Sequence, residues 1–275
     1  MKIKTLTSSE IRAFRKKIYH FFSQRARQFP WRDTDNPYHI LVSEIMLQQT
    51  QTERVSAKYR QFIELFPDFS SLSRAPLRRI LAVWKGLGYN RRAIALKRIA
   101  KRVVGECNGT LPSSPDVLRT FPGIGEATAA EIAAFAYHVP TVFIETNIRR
   151  VFIHCFFPHD EAVRDREILP LVEQTLDRSD PRNWYYALMD YGAMLKKEAR
   201  NPNRRSAHYQ KQSPFHGSNR QIRGMILKAL ITERSLSEEE LVEKTGKNEV
   251  QVRANLGRLQ QEGFIREKGA KYSIA

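Results

Sequence analysis

The chain has 275 residues, of which 41% are hydrophobic, and its 46 Lys and Arg against 29 Asp and Glu give a formal charge of +17. That excess points to a polyanionic partner rather than a neutral metabolite, and the length suffices for one large domain with its own core plus a small one. With only Cys107 and Cys155, a four-cysteine metal site is excluded and a disulfide scaffold is not expected; no apolar run is long enough to span a bilayer and the N-terminus lacks an apolar signal core, so an intracellular location is expected.

In chain order, Thr7-Ser8-Ser9-Glu10 has the pattern of a capping box, and Ile11, Phe14, Ile18 and Phe21 recur after it at helical spacing. That helix is expected to end before Pro30. Pro30-Trp31-Arg32-Asp33 reads as a turn, and a second helix from His39 carries Ile40, Leu41, Ile45, Met46 and Leu47 around Glu44. Further helices are predicted for Ala57 to Phe66, Leu77 to Trp84, Arg91 to Cys107, Pro115 to Thr120, Thr128 to Tyr137, Asn147 to Cys155 and Glu167 to Leu176, separated by Pro, Gly and Asp signals. No strand is expected before residue 260.

From Lys196 to Arg223, eight Lys and Arg face the single acid Glu198 among Asn, Pro, Ser, His and Gly, the pattern of a basic linker or a DNA-facing loop. Beyond it, Ile222, Ile226, Leu227 and Leu230 mark one helix, Leu241 and Val242 a second, and Val252, Leu256 and Leu259 a third. Two short strands, Phe264-Ile265-Arg266 and Lys271-Tyr272-Ser273-Ile274, flank a Lys268-Gly269-Ala270 turn, the outline of a winged helix-turn-helix. A small helical interaction module is the competing reading, and eleven Lys and Arg against eight acids between residues 220 and 275 do not reject it.

Two stretches carry candidate chemistry. In Phe121-Pro122-Gly123-Ile124-Gly125-Glu126-Ala127-Thr128, two glycines ahead of a small-residue helix suit a hairpin that holds phosphate on main-chain N–H groups, with both Gly123 and Gly125 free to take positive φ. An isolated Pro-Gly-x-Gly is often only a turn. About twenty residues later, Glu145 stands just before another helix. In Leu41-Val42-Ser43-Glu44-Ile45-Met46-Leu47, one carboxylate lies among apolar neighbours; facing inward, it would have its neutral form favoured, as a general acid near neutral pH requires. Periodicity alone would put it on the surface of an amphipathic helix. The uncharged run Gln48-Gln49-Thr50-Gln51 that follows suits probing base edges or filling the gap left by an extruded base.

Glu44 within Val42 to Gln51, Pro30-Trp31-Arg32, Gly86-Leu87-Gly88-Tyr89, the Phe-Pro-Gly-Ile-Gly hairpin, Asn147-Ile148-Arg149-Arg150-Val151 and Met189-Asp190-Tyr191-Gly192-Ala193-Met194 together resemble the helix-hairpin-helix (HhH-GPD) DNA glycosylases, most closely the MutY type, over residues 10 to 200 in the right order. That family removes adenine mispaired with 8-oxoguanine. The resemblance makes Glu44 the acid that protonates the departing base and puts Glu145 where the family has the aspartate that stabilises the sugar cation; the nearby helix N-terminus is expected to favour the Glu145 anion. It makes Gln48, Gln49 and Tyr89 residues that wedge into or line the opened duplex, with Thr50, Gln51 and Asn147 beside the DNA. Trp31 and Arg32 match the wall of the base pocket. Gly123, Gly125 and Thr128 match the phosphate-holding hairpin, with a monovalent cation implied at the Pro122 to Gly125 carbonyls.

The sequence departs from this family pattern in four places. Glu145 is one methylene longer than aspartate, a difference that can displace a reacting group by an ångström or so and cost on the order of a hundredfold in rate. Ala127 replaces the Schiff-base lysine of bifunctional relatives, so lysine-dependent strand cleavage is not expected. Lys196, Arg204 and Ala207 stand near the positions of the family's first iron–sulfur ligands, so no cluster and no other cofactor is expected. Tyr186 stands where the family usually presents Gln or Glu to adenine.

The expected architecture is mainly α: a two-lobed, all-helical glycosylase domain over residues 1–200, a basic linker over 201–219 and a winged-helix-like domain over 220–275. The expected function is a monofunctional glycosylase of base excision repair, acting as a monomer on duplex DNA in the nucleoid. Removal of a mispaired uracil, thymine or other lesion, damage binding without efficient catalysis, and sequence-specific regulation through the winged helix are the alternatives.

Overall fold

A computed structural model of the chain describes residues 4–198, 201–211 and 214–275; Arg200 of the basic segment and residues 212 and 213 of the expected linker lie outside them. It is mainly helical and forms two compact units, one of Met1–Ile40, Ser113–Thr120 and Ile124–Lys211, the other of Leu41–Pro112, Phe121–Gly123 and Gln212–Ala275. No helix among the described residues is long and apolar enough to cross a membrane.

The helices in order are α1 (Ser8–Arg25), α2 (Pro37–Leu47), α3 (Thr52–Leu65), α4 (Phe69–Arg74), α5 (Leu77–Trp84), α6 (Arg91–Glu106), α7 (Pro115–Leu118), α8 (Glu126–Tyr137), α9 (Thr146–Phe156), α10 (Asp165–Thr175), α11 (Pro181–Glu198), α12 (Asn219–Glu233), α13 (Glu238–Thr245) and α14 (Glu249–Gln261). Local chemistry sets several starts. Thr7 and Glu10 close the predicted capping box on α1. Asn36 Oδ1 accepts from the Tyr38 amide at 2.9 Å, where Pro37 opens α2 two residues earlier than predicted. Asp68 and Ser71 form a capping box on α4, a helix that the sequence reading omits.

The first unit is built around α11, also missing from the predicted helices. Its Trp184 and Tyr185 are fully buried, with Phe14 of α1 edge-on to both Trp184 and Phe152 of α9. Close approach of α9 and α11 requires Gly192: a Cβ there would lie 2.4 Å from the Asn147 carbonyl oxygen. Within the basic segment, Pro202–Arg205 forms a 3₁₀ turn with Pro202 and Asn203 buried. Val163 pairs with it through both its N–H and its C=O, to Arg205 O and Ala207 N.

The second unit packs α3, α5 and α6 around Phe62, Phe66 and Trp84. Its C-terminal part holds α12 to α14 and three strands, β1 (Ser235–Leu236), β2 (Ile265–Lys268) and β3 (Lys271–Ile274), antiparallel in the order β1-β3-β2. The expectation of no strand before residue 260 is thus corrected: β1 pairs Leu236 with Tyr272, and two residues are too few to show alternation.

An ionic pincer lies between α6 and this module. Arg91 and Arg223 both donate to the carboxylate of Glu262, which they hold down at about 2. Glu262 therefore binds its proton more weakly folded than unfolded, and it stabilises the fold above about pH 4.5, a contribution lost as pH falls toward 2. Glu262→Gln is expected to cost about 2 kcal/mol at pH 7. In thermal melts, the gap from the parent should close as pH drops below 4.5; a constant gap would refute the ionic account.

Candidate functional site

Glu44 lies on a helix buried all round, because Ile40, Leu41, Val42, Ser43, Ile45 and Met46 are each at most 1% exposed. Glu44 itself is 8% exposed, so the surface placement that periodicity would favour is overturned.

The loop after α2 is organised by a residue that the sequence reading missed. Arg92, 7% exposed, donates through Nη1 to the carbonyls of Ile45, Met46 and Gln48 (3.0, 2.7 and 2.5 Å). Its Nη2 reaches Thr50 Oγ1 at 2.9 Å and the carbonyls of Leu87 and Gly88 at 3.3 and 3.1 Å. One guanidinium thus caps the end of α2 and ties the Gln48 to Gln51 run to the Gly86 to Tyr89 turn. Burial pushes it down to about 10, which leaves it charged at neutral pH. Gln49 and Tyr89 both take left-handed backbone conformations, φ +54° and +47°. Gln49 and Gln51 are exposed. Arg92 had a sequence signal, since it stands in register with Leu96, Ile99 and Val103, a buried stripe along α6.

In the hairpin, Gly123 has φ +78°, and a Cβ added there would meet Ala95 Cβ at 3.0 Å. Gly125 does not share this role, contrary to expectation: it is extended, φ −89° and ψ 179°, as the N-cap of α8. Gly125 has no side chain with which to cap that N-terminus, which suits an anion on its amides. Thr128 is 8% exposed inside α8. Gln48 Nε2 donates to Gly123 O at 3.1 Å, which ties the loop after α2 to this hairpin. Gly123→Ala strains the backbone and crowds Ala95, and we expect about tenfold weaker binding to any duplex, matched or mismatched, in a titration at fixed salt. A loss confined to mismatched duplex would contradict a backbone-holding role.

In the first unit, Glu145 is the N-cap of α9. Its Oε1 accepts from the amides of Asn147 and Ile148 (2.6 and 2.8 Å), and its Oε2 from Asn147 Nδ2 (3.1 Å). Arg150, 2% exposed, donates to Asn147 Oδ1 (2.6 Å), Gly192 O (2.7 Å) and Asn201 Oδ1 (3.0 Å), so Asn147 is fixed from the side away from Glu145. The expectation that the helix terminus favours the anion is corrected in part. Burial is the largest influence and pushes the Glu145 carboxyl up, while the Ile148 and Asn147 amides and then Arg150 and Arg149 pull it down.

Trp31, Arg32 and Tyr186 also belong to this unit. Trp31 is 3% exposed and stacks on Phe29 at 4.9 Å. Tyr186, 5% exposed, stacks on Phe135 at 4.7 Å, with the Arg32 guanidinium 4.4 Å from its ring centroid. Both Nη atoms of Arg32 are committed to the buried Asp190 (2.8 and 2.9 Å), which also accepts from the Arg27 amide and Nε. Asp190 is therefore the acceptor that sets this aromatic and arginine cluster.

Iron–sulfur clusters need thiolate ligands. Lys196, Arg204 and Ala207 occupy the relevant stretch, and the two cysteines are Cys155 within α9 and Cys107 just after α6. The residues present do not fit such a cluster.

Residues 42–172 match the model of the HhH-GPD superfamily base excision DNA repair proteins. An adenine DNA glycosylase of Mycolicibacterium smegmatis is 32% identical over 78% of this chain and 79% of its own length. One from Buchnera aphidicola is 35% identical over 64% of this chain, which spans about half the length of that relative (50%). Among solved structures, a thermostable thymine-DNA glycosylase superposes with a TM-score of 0.61 at 25% identity, covering 70% of this chain and 90% of its own. An endonuclease III trapped with DNA has the same fold, with a TM-score of 0.58 at 19% identity, covering 77% and 92%. The chain belongs to the HhH-GPD superfamily of base excision DNA repair proteins.

Proposed function

We propose that the chain is a monofunctional DNA glycosylase that flips a mispaired base out of duplex DNA and hydrolyses its N-glycosidic bond, with adenine opposite 8-oxoguanine or guanine as substrate. The observation that carries this reading is the buried carboxyl of Glu44, one turn before a loop that Arg92 holds rigid. In the reaction, Glu44 gives a proton to the leaving base as the bond to C1′ breaks, the Glu145 carboxylate balances the positive charge on the sugar, and water adds to C1′, its released proton restoring the acid form of Glu44. The N–H donors on both Glu145 oxygens hold that carboxylate in place for this task.

Ala127 offers no amine, so the abasic product keeps its strand intact until alkali cuts it. Hydrolysis with these two acids calls for no resident cofactor. Duplex DNA is the partner, bound through the Gly123 hairpin and the basic surface of a monomer in the cytoplasm. Residues 220–275 form a winged-helix-like domain on this reading, supported by their helix and strand order.

A second reading, removal of mismatched thymine or uracil, has one observation in its favour: Tyr186 offers a stacked ring where a hydrogen-bonding amide or acid would read adenine. A panel of duplexes, each with one mismatch or lesion, incubated with the protein and then split between alkali and neutral buffer, decides among these. Alkali-dependent cutting at adenine opposite 8-oxoguanine is expected. Cutting at thymine or uracil alone would select the second reading, and tight binding with no labile product anywhere would leave a damage-binding protein.

A further inference from the structure

We propose that Arg220, in the first turn of α12, is a positioning residue for Tyr89, so that the C-terminal module presets the side chain that enters the opened duplex. This rests on the reading of Tyr89 as an inserted residue. Tyr89 and Arg220 both belong to the second unit. Tyr89 holds φ +47°, a region that bulky side chains rarely adopt. Arg220 Nη1 donates to its hydroxyl at 2.7 Å, and the guanidinium carbons of Arg92 and Arg220 each lie 5.5 Å from its ring centroid.

The contact spans 131 positions of sequence, so it exists only because the module is seated on α5 and α6. That seat is built from several independent links. Arg78 Nε donates to Ile231 O at 2.9 Å, Arg98 Nη2 to Glu262 O at 3.2 Å, and Arg91 and Arg223 grip the Glu262 side chain. Phe264 is fully buried beside them. Ser218 caps α12 and thereby fixes the backbone that carries Arg220.

A phenol held at its hydroxyl by Arg220, on a backbone turn held by Arg92, has little freedom left to lose when it inserts between bases. Preorganisation of this kind lowers the cost of binding and of opening the duplex. It gives the module a task within base exposure that is separate from any DNA contact of its own.

The test uses the full chain and two readouts: fluorescence of 2-aminopurine next to the mismatch, which reports unstacking without chemistry, and single-turnover base release. Arg220→Ala is expected to reduce duplex opening and release about tenfold, the size of one charge-assisted hydrogen bond. On a substrate whose target base already lies in an unpaired bubble, the same variant should stay within about twofold of the parent. Tyr89→Phe, which removes the hydroxyl and keeps the ring, should give a similar loss of opening, and the double variant no further loss. Arg220→Lys should restore part of the opening.

Equal losses on duplex and bubble, additive losses in the double variant, or unchanged opening in Arg220→Ala would each overturn the proposal. If Arg220→Ala fails to fold, the Tyr89→Phe and Arg220→Lys pair still decides: unchanged opening in both refutes the link. If the chain releases no base at all, the fluorescence readout still tests this pair, so failure of the glycosylase reading and failure of the positioning role are told apart.

Discussion

Glu44→Gln is expected to slow base release by about 10²–10⁴-fold, the range that one positioned acid contributes, while binding to mismatched duplex stays near the parent value. The substitution keeps the volume of the side chain, which matters at a position only 8% exposed among residues that are nearly all buried. It removes the one thing that the reaction takes from this residue, a transferable proton. Single-turnover release with protein in excess isolates the chemical step from affinity. Release at the parent rate would show that Glu44 is not the acid, whatever else the chain does.

Arg92→Met is the second large effect, expected as a loss of about 3–5 kcal/mol of folding stability, as when several buried acceptors lose a charged donor at once. The reason is the number of acceptors that lose a donor: the carbonyls of Ile45, Met46, Gln48, Leu87 and Gly88 and the hydroxyl of Thr50 all accept from this one guanidinium, while Gln48 O and Gly88 O also accept from Thr50 Oγ1 and Trp84 Nε1. Each acceptor left dry carries its own penalty. Arg92→Lys keeps the charge but offers three donors on a point rather than a planar fork, so it should recover only part of the loss. Urea unfolding measures both. A change below about 1 kcal/mol for the methionine variant would mean that backbone packing alone holds the two loops.

Local chemistry was readable along the chain wherever it was local. The Thr7 to Glu10 box and the apolar stripe of Leu77 to Trp84 stand in the structure where the sequence puts them. α11 escaped because its buried positions run almost all round the helix, Trp184 through Leu188 included, which leaves no polar face to set a period. α4 is only six residues long, and β1 only two.

The candidate site divides in the same way. A carboxylate among apolar neighbours was visible at Glu44, but that the whole of α2 is buried depends on tertiary packing. Gly123 and Gly125 look equivalent in the motif, and only the backbone separates the left-handed residue from the helix cap. Arg92 and Asp190 act on partners some 40 and 160 positions away, a distance over which one sequence carries no pairing information. The influences on Glu145 oppose one another, and the larger one, burial, exists only in the fold.

On the proposed function, this chain hydrolyses the bond between adenine and deoxyribose with Glu44 as the acid. The most direct test of that function is the quantity of free adenine released from a duplex carrying adenine opposite 8-oxoguanine, measured chromatographically over one turnover for the parent and for Glu44→Gln. Stoichiometric adenine is expected from the parent, and a rate lower by about 10²-fold or more from the variant. No free adenine from the parent, or equal release from both proteins, would contradict it.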